Sequence, residues 1–303
     1  MTAQVIVRAI AKVADAYKLD RKRHRQFRPL GAFAFDDRIL RWRQDEVSIW
    51  TVAGRQPIPF VCGDHARTLL ATRQGEADLF TRNGAWYLAF TATVEEPPAT
   101  TPDDFLGVDL GIVNLATDSD GTVYSGSAVE TRRRTVAHRC RHLQRRGTKA
   151  AKRKPRAIKR KQARFQAGTN HVLSNRIVAT AQGTGRGIAL EDLRGMRDRT
   201  RLRRRQRARH ANWGFAQPRA FLSCKAALAG VPVVLVDPRH TSQACHECGM
   251  IDRTSRLTQA EFLCTSCGHA APADVNAARN IRARAVVNQP NGQLVQGFAP
   301  PSG

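Results

Sequence analysis

An α/β fold preceded by a β-rich domain is predicted by three features of this 303-residue sequence. Residues 30–96 contain short runs with strand-like alternation, and residues 105–287 contain a β-meander followed by helices that alternate with apolar strands. Two Cys-x-x-Cys pairs interrupt the second region near its end. The order meander, helix, strand, helix, strand, helix is that of an RNase H-like α/β domain. A chain of this length can bury two cores, so we predict two domains.

The first domain is predicted to be a small barrel with a helix in front of it. Residues 1–20 show apolar side chains at the 3.6-residue period of an amphipathic helix. Apolar runs at 47–52 and 85–94, with Gly and Pro between them, indicate antiparallel strands. Residues 97–104, with three prolines, are predicted to be a linker.

The second domain is predicted to open with a three-stranded meander from residue 105. The Asp120-Gly121 dipeptide is a strong hairpin signal within it. The following elements are then predicted: a helical hairpin over 131–165 turning near Gly147, a helix over 170–182, a strand over 187–192, a helix over 221–229, a strand over 231–236, a cysteine-rich insertion over 241–270 and a last helix over 274–287. Residues 288–303, rich in Gly, Pro and Gln, are predicted to be a disordered tail.

The charge of the chain points to a polyanionic partner. Lys and Arg number 50 against 25 Asp and Glu, which gives a net charge of +25. Residues 131–165 hold sixteen basic residues and no acidic one, and residues 194–209 hold nine Arg and one Asp. Basic runs are usually solvated helix faces, but one of this length repels itself unless a polyanion lies alongside. We therefore expect nucleic acid at the hairpin, whereas residues 194–209 are either a second contact or a lid.

The two basic runs supply the candidate contacts to nucleic acid. These are Arg132, Arg133, Arg134, Arg145, Arg146, Lys152, Arg153, Lys154, Arg203, Arg204 and Arg205. A membrane is not expected as a partner, because the sequence has no apolar run of roughly 18 residues or more and no amphipathic anchor. The N-terminus also lacks the basic-then-apolar order of a signal peptide, so a cytoplasmic location is expected.

The cysteine pairs predict one structural zinc ion. Cys245 and Cys248 are separated by fifteen residues from Cys264 and Cys267, and a glycine follows each pair. Two such pairs can place four thiolates tetrahedrally around one Zn²⁺, and this paired spacing argues against a disulfide or a redox pair. A ribbon of about 25 residues cannot bury a core of its own, so the metal would hold it together.

Three carboxylates occupy informative places in the predicted domain. Asp109 lies within an apolar strand, where a charge is costly unless it binds a metal; Glu191 ends a second apolar strand, and Asp274 begins the last helix. Converging acids of this kind can hold two Mg²⁺ ions about 4 Å apart, one activating water and one stabilising the leaving 3′ oxygen of a phosphodiester. Taken singly, Asp274 is explained as an N-cap and Glu191 as a strand-end charge, whereas Asp109 has no good structural explanation.

Several motifs together resemble the TnpB family of transposon-encoded RNA-guided DNA nucleases, which are related to the type V CRISPR effectors. They are Gly107-Val-Asp-Leu-Gly111, Leu190-Glu-Asp-Leu193, Val236-Asp-Pro-Arg-His-Thr-Ser-Gln243, the two Cys-x-x-Cys pairs and Asp274-Val-Asn-Ala-Ala-Arg-Asn-Ile281. The resemblance covers nearly all of residues 1–285 and is specific as a set.

The resemblance implies a metal-dependent DNA endonuclease. Asp109, Glu191 and Asp274 match the three RuvC catalytic acids that bind Mg²⁺, and the four cysteines match the zinc ligands of the family's ribbon. Residues 30–96 would be the wedge-like domain that binds guide RNA and the duplex beside the target. The implied partners are a guide RNA derived from the transposon end and a DNA target.

The sequence departs from the family at its front, where residues 1–29 match only the last helix of the recognition lobe. A natural minimal form, a mis-assigned start and a decayed copy are all open explanations. Two other functions therefore stay open beside the guided endonuclease. One is a catalytically idle nucleic-acid-binding regulator or truncated transposase-associated remnant, and the weaker one is a structure-specific RuvC resolvase.

Overall fold

The computed structural model describes residues 2–193 and 216–287. The chain divides into two compact units between Glu95 and Glu96. The arginine-rich stretch 194–209 and the predicted tail 288–303 lie outside the described residues. No helix in the described part of the chain is long and apolar enough to cross a membrane.

The first unit contains a long helix and two antiparallel sheets. Its elements are α1 (Ala3–Leu19), β1 (Phe33–Phe35), β2 (Leu40–Trp42), β3 (Glu46–Thr51), β4 (Gly54–Pro59), α2 (Asp64–Leu69), β5 (Arg73–Arg82) and β6 (Ala85–Ala92). Strands β1, β5 and β6 pair in the order β1-β5-β6, and β2, β3 and β4 pair in chain order. A turn of 3-10 helix over Leu70–Thr72 follows α2.

The two sheets of this unit share one core but do not pair into the predicted small barrel. Phe35 of β1, Leu40 of β2 and Ala77 of β5 belong to a single buried cluster. Within the described residues, no strand pairing joins the two sheets. Strand β4 carries Pro57 and Pro59, whose missing N–H groups weaken any further ladder and leave β4 as an edge.

The second unit is built around a five-stranded sheet. Its elements are β7 (Phe105–Asp109), β8 (Asn114–Asp118), β9 (Val123–Ser125), α3 (Ser127–Arg145), α4 (Lys149–Gly183), β10 (Gly187–Glu191), α5 (Ala216–Leu228), β11 (Val233–Val236), β12 (Glu261–Leu263), β13 (Ala270–Pro272) and α6 (Ala273–Val287). The sheet order is β11-β10-β7-β8-β9. Strands β7, β8 and β9 are antiparallel, as the meander predicted, and β10 and β11 run parallel to β7 and to each other.

Helices cover both faces of this sheet, and the alternation of the strands decides which residues meet which helix. Leu106, Ile188 and Leu190 lie in one buried cluster with residues of α4 and α5. The neighbouring residues Phe105 and Ala189 lie in a second cluster with residues of α6. Because side chains alternate between faces along a strand, odd-numbered positions of β7 and β10 face α6.

The basic region forms a helical hairpin, but the prediction of a separate helix after it is wrong. The chain turns between α3 and α4 at residues 146–148, where Gly147 has a φ of +67°. Helix α4 then runs unbroken for 35 residues through the predicted gap at 166–169. Apolar residues in its last turns, such as Ile177, pack on the sheet. This packing holds the C-terminal half in register and outweighs the weak helix propensity of Gly168.

Helix α6 packs directly on the backbone of β7 at Gly107. A Cβ atom at this glycine would collide with the carbonyl oxygen of Ala278 and would lie 2.6 Å from the amide nitrogen of Arg282. Both are backbone atoms of the helix and cannot rotate away. Glycine is therefore required for this separation between helix and strand.

We predict that Gly107→Ala destabilises the protein by about 3 kcal/mol, at the upper end of overpacking costs, because only a shift of α6 can relieve the collision. Urea unfolding followed by circular dichroism measures this. Gly168→Ala is the matched control: its Cβ meets nothing within 4 Å on α4, so it should stabilise by about 0.5–1 kcal/mol. Equal stability of the two variants would contradict the packing argument.

Candidate active site and zinc centre

The three predicted acids lie at one end of the sheet. Asp109 and Glu191 are the last residues of β7 and β10, and the register that pairs Leu190 with Val108 places them side by side. Both occupy the strand face covered by α6, since they continue the odd-numbered positions. Asp274 is the second residue of α6, which begins at this end of the sheet. The fold therefore brings all three together.

The negative charges of Glu191 and Asp274 both act on the carboxyl of Asp109. Burial raises the pKa of Asp109 to about 7, with further contributions from the negative charges of Glu191 and Asp274. Burial also raises the pKa of Glu191. A carboxyl whose pKa is raised on folding costs stability as the pH rises from its unfolded pKa through its folded one. At Asp109 this penalty is absent below about pH 4, grows toward pH 7, and would be relieved by a bound cation.

Asp274 has two partners that the sequence did not indicate. Asn114, the first residue of β8, donates its side-chain N–H to Oδ2 of Asp274 at 2.9 Å. Arg256, which lies in the cysteine-rich insertion, places Nη2 3.2 Å from Oδ1. The guanidinium of Arg256 also lowers the pKa of Asp109, so one cation of the chain already offsets part of the negative charge.

Glu191 also has a partner from the segment that leads into the insertion. The hydroxyl of Thr241 donates a hydrogen bond to Oε1 of Glu191. Thr241 is buried, and its hydrogen bond opposes the rise in the pKa of Glu191 that burial causes. Glu191 and Asp274 are thus each contacted by one residue of the region 237–260.

The four predicted zinc ligands converge on one point. Their Sγ atoms all lie within 4.8 Å of one another, and all four are free thiols. The Sγ atoms of Cys245 and Cys267 are 3.7 Å apart, and those of Cys248 and Cys264 are 3.6 Å apart. Zn–S bonds of about 2.3 Å in a tetrahedron require sulfur separations of about 3.8 Å. The donor set and its spacing therefore fit one Zn²⁺.

The two cysteine pairs form matching turns. Gly249 donates its N–H to the carbonyl oxygen of Cys245, and Gly268 does the same to Cys264, at 2.9 and 3.1 Å. Both glycines have positive φ, 74° and 71°, which explains why glycine follows each pair. The N–H of Cys267 points at Sγ of Cys264 from 3.5 Å and lowers the pKa of that thiol to about 6. A thiol that ionises easily is a better metal ligand.

A second group of possible ligands stands beside the cysteines. Ligand atoms of His246, Glu247 and His269 lie within 4.8 Å of one another. However, Nη1 of Arg279 is 3.4 Å from Nε2 of His246, so a cation already faces this cluster. Electrostatic repulsion makes it a poor site for a second metal.

The structure gives three of the predicted nucleic-acid contacts partners within the protein. Arg133 and Arg134 form ion pairs with Glu130, at 2.6 and 2.9 Å, and the guanidinium of Arg132 lies 4.6 Å from the ring centre of Phe165. Glu130 precedes the acid-free run, which is why the run alone did not reveal these pairs. Their role in binding remains a prediction. The contact of Arg132 with Phe165 joins α3 to α4, whereas the two ion pairs with Glu130 lie within α3.

The other predicted contacts differ in exposure and in whether the structure describes their side chains. Arg145, Arg146 and Lys154 are exposed, and within the described residues none of them forms an ion pair. The side chains of Lys152 and Arg153, and residues 203–205 as a whole, lie outside what the structure describes. Further exposed cations follow the same helices, namely Arg139, Arg141, Arg156, Lys159, Arg160, Lys161 and Arg164.

We expect Cys264→Ser to reduce the zinc content of the purified protein from about one ion per chain to near zero, because three thiolates bind the ion far less tightly than four. Elemental analysis measures the content directly. The control is Cys224→Ser, which alters an exposed thiol of α5 outside the cluster and should keep the zinc. Parent protein prepared without chelator and found free of metal would count against the centre.

Comparison with known families gives two successive matches, which begin in the last strand of the first unit and continue along the second. Residues 89–210 match the family model OrfB_IS605, described as "Probable transposase". Residues 215–281 match the model described as "Cas12f1-like, TNB domain". The first match contains Asp109 and Glu191, and the second contains Asp274 and all four cysteines.

Two curated relatives extend these matches. The chain is 37% identical over 221 residues to the CRISPR-associated endodeoxyribonuclease Cas12f1 of Sulfoacidibacillus thermotolerans, covering 66% of this chain and 50% of the relative. It is 29% identical over 237 residues to the "Putative RNA-guided DNA endonuclease InsQ" of Escherichia coli strain K12, covering 72% of this chain and 58% of InsQ. The chain thus spans about half the length of the curated relatives it matches.

A solved structure supports the same grouping at the level of fold. The cryo-EM structure of a CRISPR-Cas12f ternary complex superposes with a TM-score of 0.50 at 15% identity, covering 93% of this chain and 70% of that one. This likeness indicates a compact TnpB/Cas12-like fold with a zinc-ribbon-type domain. The two family models and the relatives named above are consistent with a member of the TnpB family, and the structural likeness adds agreement of the fold alone.

Proposed function

We propose that this protein is an RNA-guided, Mg²⁺-dependent DNA endonuclease encoded by a transposable element. The observation that carries the proposal is the convergence of Asp109, Glu191 and Asp274 at one sheet end, where burial first, and then repulsion from Glu191 and Asp274, raises the pKa of Asp109 to about 7. A fold that only bound nucleic acid would gain nothing from this repulsion. A site that binds cations gains affinity from it.

The topology of the second unit supports an RNase H-like, RuvC-type catalytic domain. Its sheet has three antiparallel strands followed by two parallel ones, in the order β11-β10-β7-β8-β9. The acids lie at the carboxyl ends of two parallel strands and at the start of a helix, and such ends of α/β sheets are usual places for ligands. The cysteine insertion lies between β11 and α6.

The chain's own residues define how such a site would work. Asp109, Glu191 and Asp274 would hold two Mg²⁺ ions, and bound metal would activate water and stabilise the leaving 3′ oxygen of a phosphodiester. Asn114 orients Asp274 by its hydrogen bond to Oδ2. Arg256 pairs with Oδ1 of the same acid, so a metal that takes this oxygen would free a guanidinium at the site, where it could meet a phosphate.

The partners are proposed from the relatives and from charge. The names of Cas12f1 and InsQ describe DNA endonucleases, and that of InsQ includes RNA guidance. A net charge of +25 and the exposed cations of α3 and α4 suit both nucleic acids. We further propose that residues 30–96 form the wedge-like domain, that the guide RNA derives from the transposon end, and that the protein is cytoplasmic.

Nucleic-acid binding without cleavage is the second candidate function. It is favoured by the ion pair between Arg256 and Asp274, because a cation of the chain then occupies an oxygen that a metal would need. A parent protein that binds guide RNA and matching DNA but leaves the DNA intact at all Mg²⁺ concentrations would support this alternative.

We expect Asp109→Ala to abolish Mg²⁺-dependent cleavage of guide-matched DNA, because it removes the central acid of the cluster, while binding of nucleic acid stays within a few-fold. Gel analysis of cleavage and a filter-binding assay measure the two effects on the complex with its co-purified RNA. Asp103→Ala changes an exposed carboxylate nearby in sequence and should cleave like the parent. Cleavage by the Asp109 variant at the parent's rate would overturn the site.

The hairpin is tested by its salt dependence. We predict that replacing Arg156, Arg160 and Arg164 of α4 with Gln lowers the slope of log affinity against log salt by roughly 2–3, since each lost phosphate contact removes about 0.7–0.9. These exposed cations recur every four residues on one helix face. Binding should weaken about equally for all sequences, because phosphate contacts carry no base information.

Arg133→Gln provides the matched control for the hairpin. Its guanidinium is already paired with Glu130, so the salt slope should change by less than for any single free cation. A triple variant that keeps the parent's slope for both RNA and DNA would show that this face of α4 touches no phosphate.

A further inference from the structure

Thr241 is a buried residue whose hydroxyl reaches the proposed active site. It lies between β11 and the first cysteine pair, and only 2% of its surface is exposed. Its Oγ1 donates a hydrogen bond to Oε1 of Glu191, fifty residues away in sequence. The same oxygen lies 3.1 Å from the carbonyl oxygen of Pro238. A hydroxyl has one proton, so the carboxylate and the carbonyl compete for it, and the charged acceptor forms the stronger bond.

The position of Thr241 is fixed by α6. Asn280 donates its side-chain N–H groups to the carbonyl oxygens of Thr241 and Ala244, both at 2.8 Å. One turn earlier, Asn276 donates to the same carbonyl of Ala244 at 2.8 Å and accepts the N–H of His246 at 3.1 Å. Both asparagines are buried, so these bonds are made without competition from water. They hold the entry to the cysteine insertion against the helix that carries Asp274.

We propose that Thr241 is a positioning residue that aims the carboxylate of Glu191 for metal binding. This inference rests on the proposed function, because it assumes that Glu191 is a metal ligand. A glutamate at a strand end has three rotatable bonds, and a hydrogen bond to Oε1 restricts them. It leaves Oε2 and the second lone pair of Oε1 for the cation. Carboxylate ligands are commonly fixed by such outer hydrogen bonds, whose loss costs roughly 10–100-fold in metal affinity.

The arrangement also assigns a second role to the ribbon. Thr241 and Arg256 both belong to the chain between β11 and β12, and they contact Glu191 and Asp274 respectively. The insertion therefore holds one oxygen of each of these two acids. Its attachment through Asn276 and Asn280 makes the geometry of the acids depend on the folded ribbon, in addition to the sheet.

The test uses Mn²⁺ as the probe, because its binding is measured by electron paramagnetic resonance without any cleavage. The purified full chain is titrated as parent, Thr241→Val, Thr241→Ser, Thr241→Ala and Asp109→Asn. Thr241→Val replaces the hydroxyl with a methyl group of similar size. Thr241→Ser and Thr241→Ala differ from each other only by the hydroxyl. We expect Thr241→Val and Thr241→Ala to weaken Mn²⁺ binding roughly tenfold or more. The affinity of Thr241→Ser should stay within about threefold of that of the parent.

Thermal unfolding and zinc content, measured on the same samples, show whether a variant has lost its fold. If the Thr241→Val variant unfolds, comparison of Thr241→Ala with Thr241→Ser decides the question. The role of Thr241 would be overturned if Thr241→Val or Thr241→Ala bound Mn²⁺ as tightly as the parent while Asp109→Asn did not bind it. The proposed metal site would then remain intact. Equal weakening in Ser and Ala would also overturn it, because packing and not the hydroxyl would then matter. A parent that binds no Mn²⁺ would overturn the metal site itself, and this inference with it.

Discussion

The contact between α6 and Gly107 of β7 is the constraint on which the rest of the second unit depends. The helix meets the strand backbone to backbone, with Ala278 against the glycine. Asp274 lies one turn before Ala278, so the rigid geometry of the helix carries the placement at Gly107 directly to the acid. Asn276 and Asn280 lie on the same buried stretch and attach the cysteine insertion. One close approach thereby sets both the acid cluster and the position of the ribbon.

This packing imposes an electrostatic cost on the acid cluster. Three carboxylates come from three elements, and burial disfavours the charged form of two of them, Asp109 and Glu191. The chain offsets part of the charge through the guanidinium of Arg256, which acts on Asp109 and Asp274, and that of Arg284, which acts on Glu191. Stability alone would favour apolar residues at these positions. The cation site proposed above would remove this cost, and the insertion contacts it through Thr241 on Glu191 and Arg256 on Asp274.

The basic hairpin contains two groups of cations, one with partners inside the protein and one exposed to solvent. At the start of the run, Arg133 and Arg134 pair with Glu130 within α3, and Arg132 packs over Phe165 and so joins α3 to α4. Farther along, the exposed cations from Arg139 on form no ion pair among the described residues, so their repulsion is relieved only by outside anions. Charge density in the sequence indicated a polyanion for the whole run. The structure shows that its first turn has an internal role.

The sequence by itself determined the features that depend on local pattern. The meander with its Asp120-Gly121 turn, the turn at Gly147 and the two cysteine knuckles follow from dihedral preferences and spacing, which act over a few residues. Local pattern failed where packing competes with it, in the unbroken α4 and in the two sheets that replaced a barrel. Only the tertiary structure decided the partners of the acids. Asn114 is 160 residues from Asp274, and Thr241 is fifty from Glu191, so no periodicity in the sequence connects them. Such pairs exist because the close approach of α6 to the sheet brings distant polar groups into a buried space, where each must find a hydrogen-bond partner.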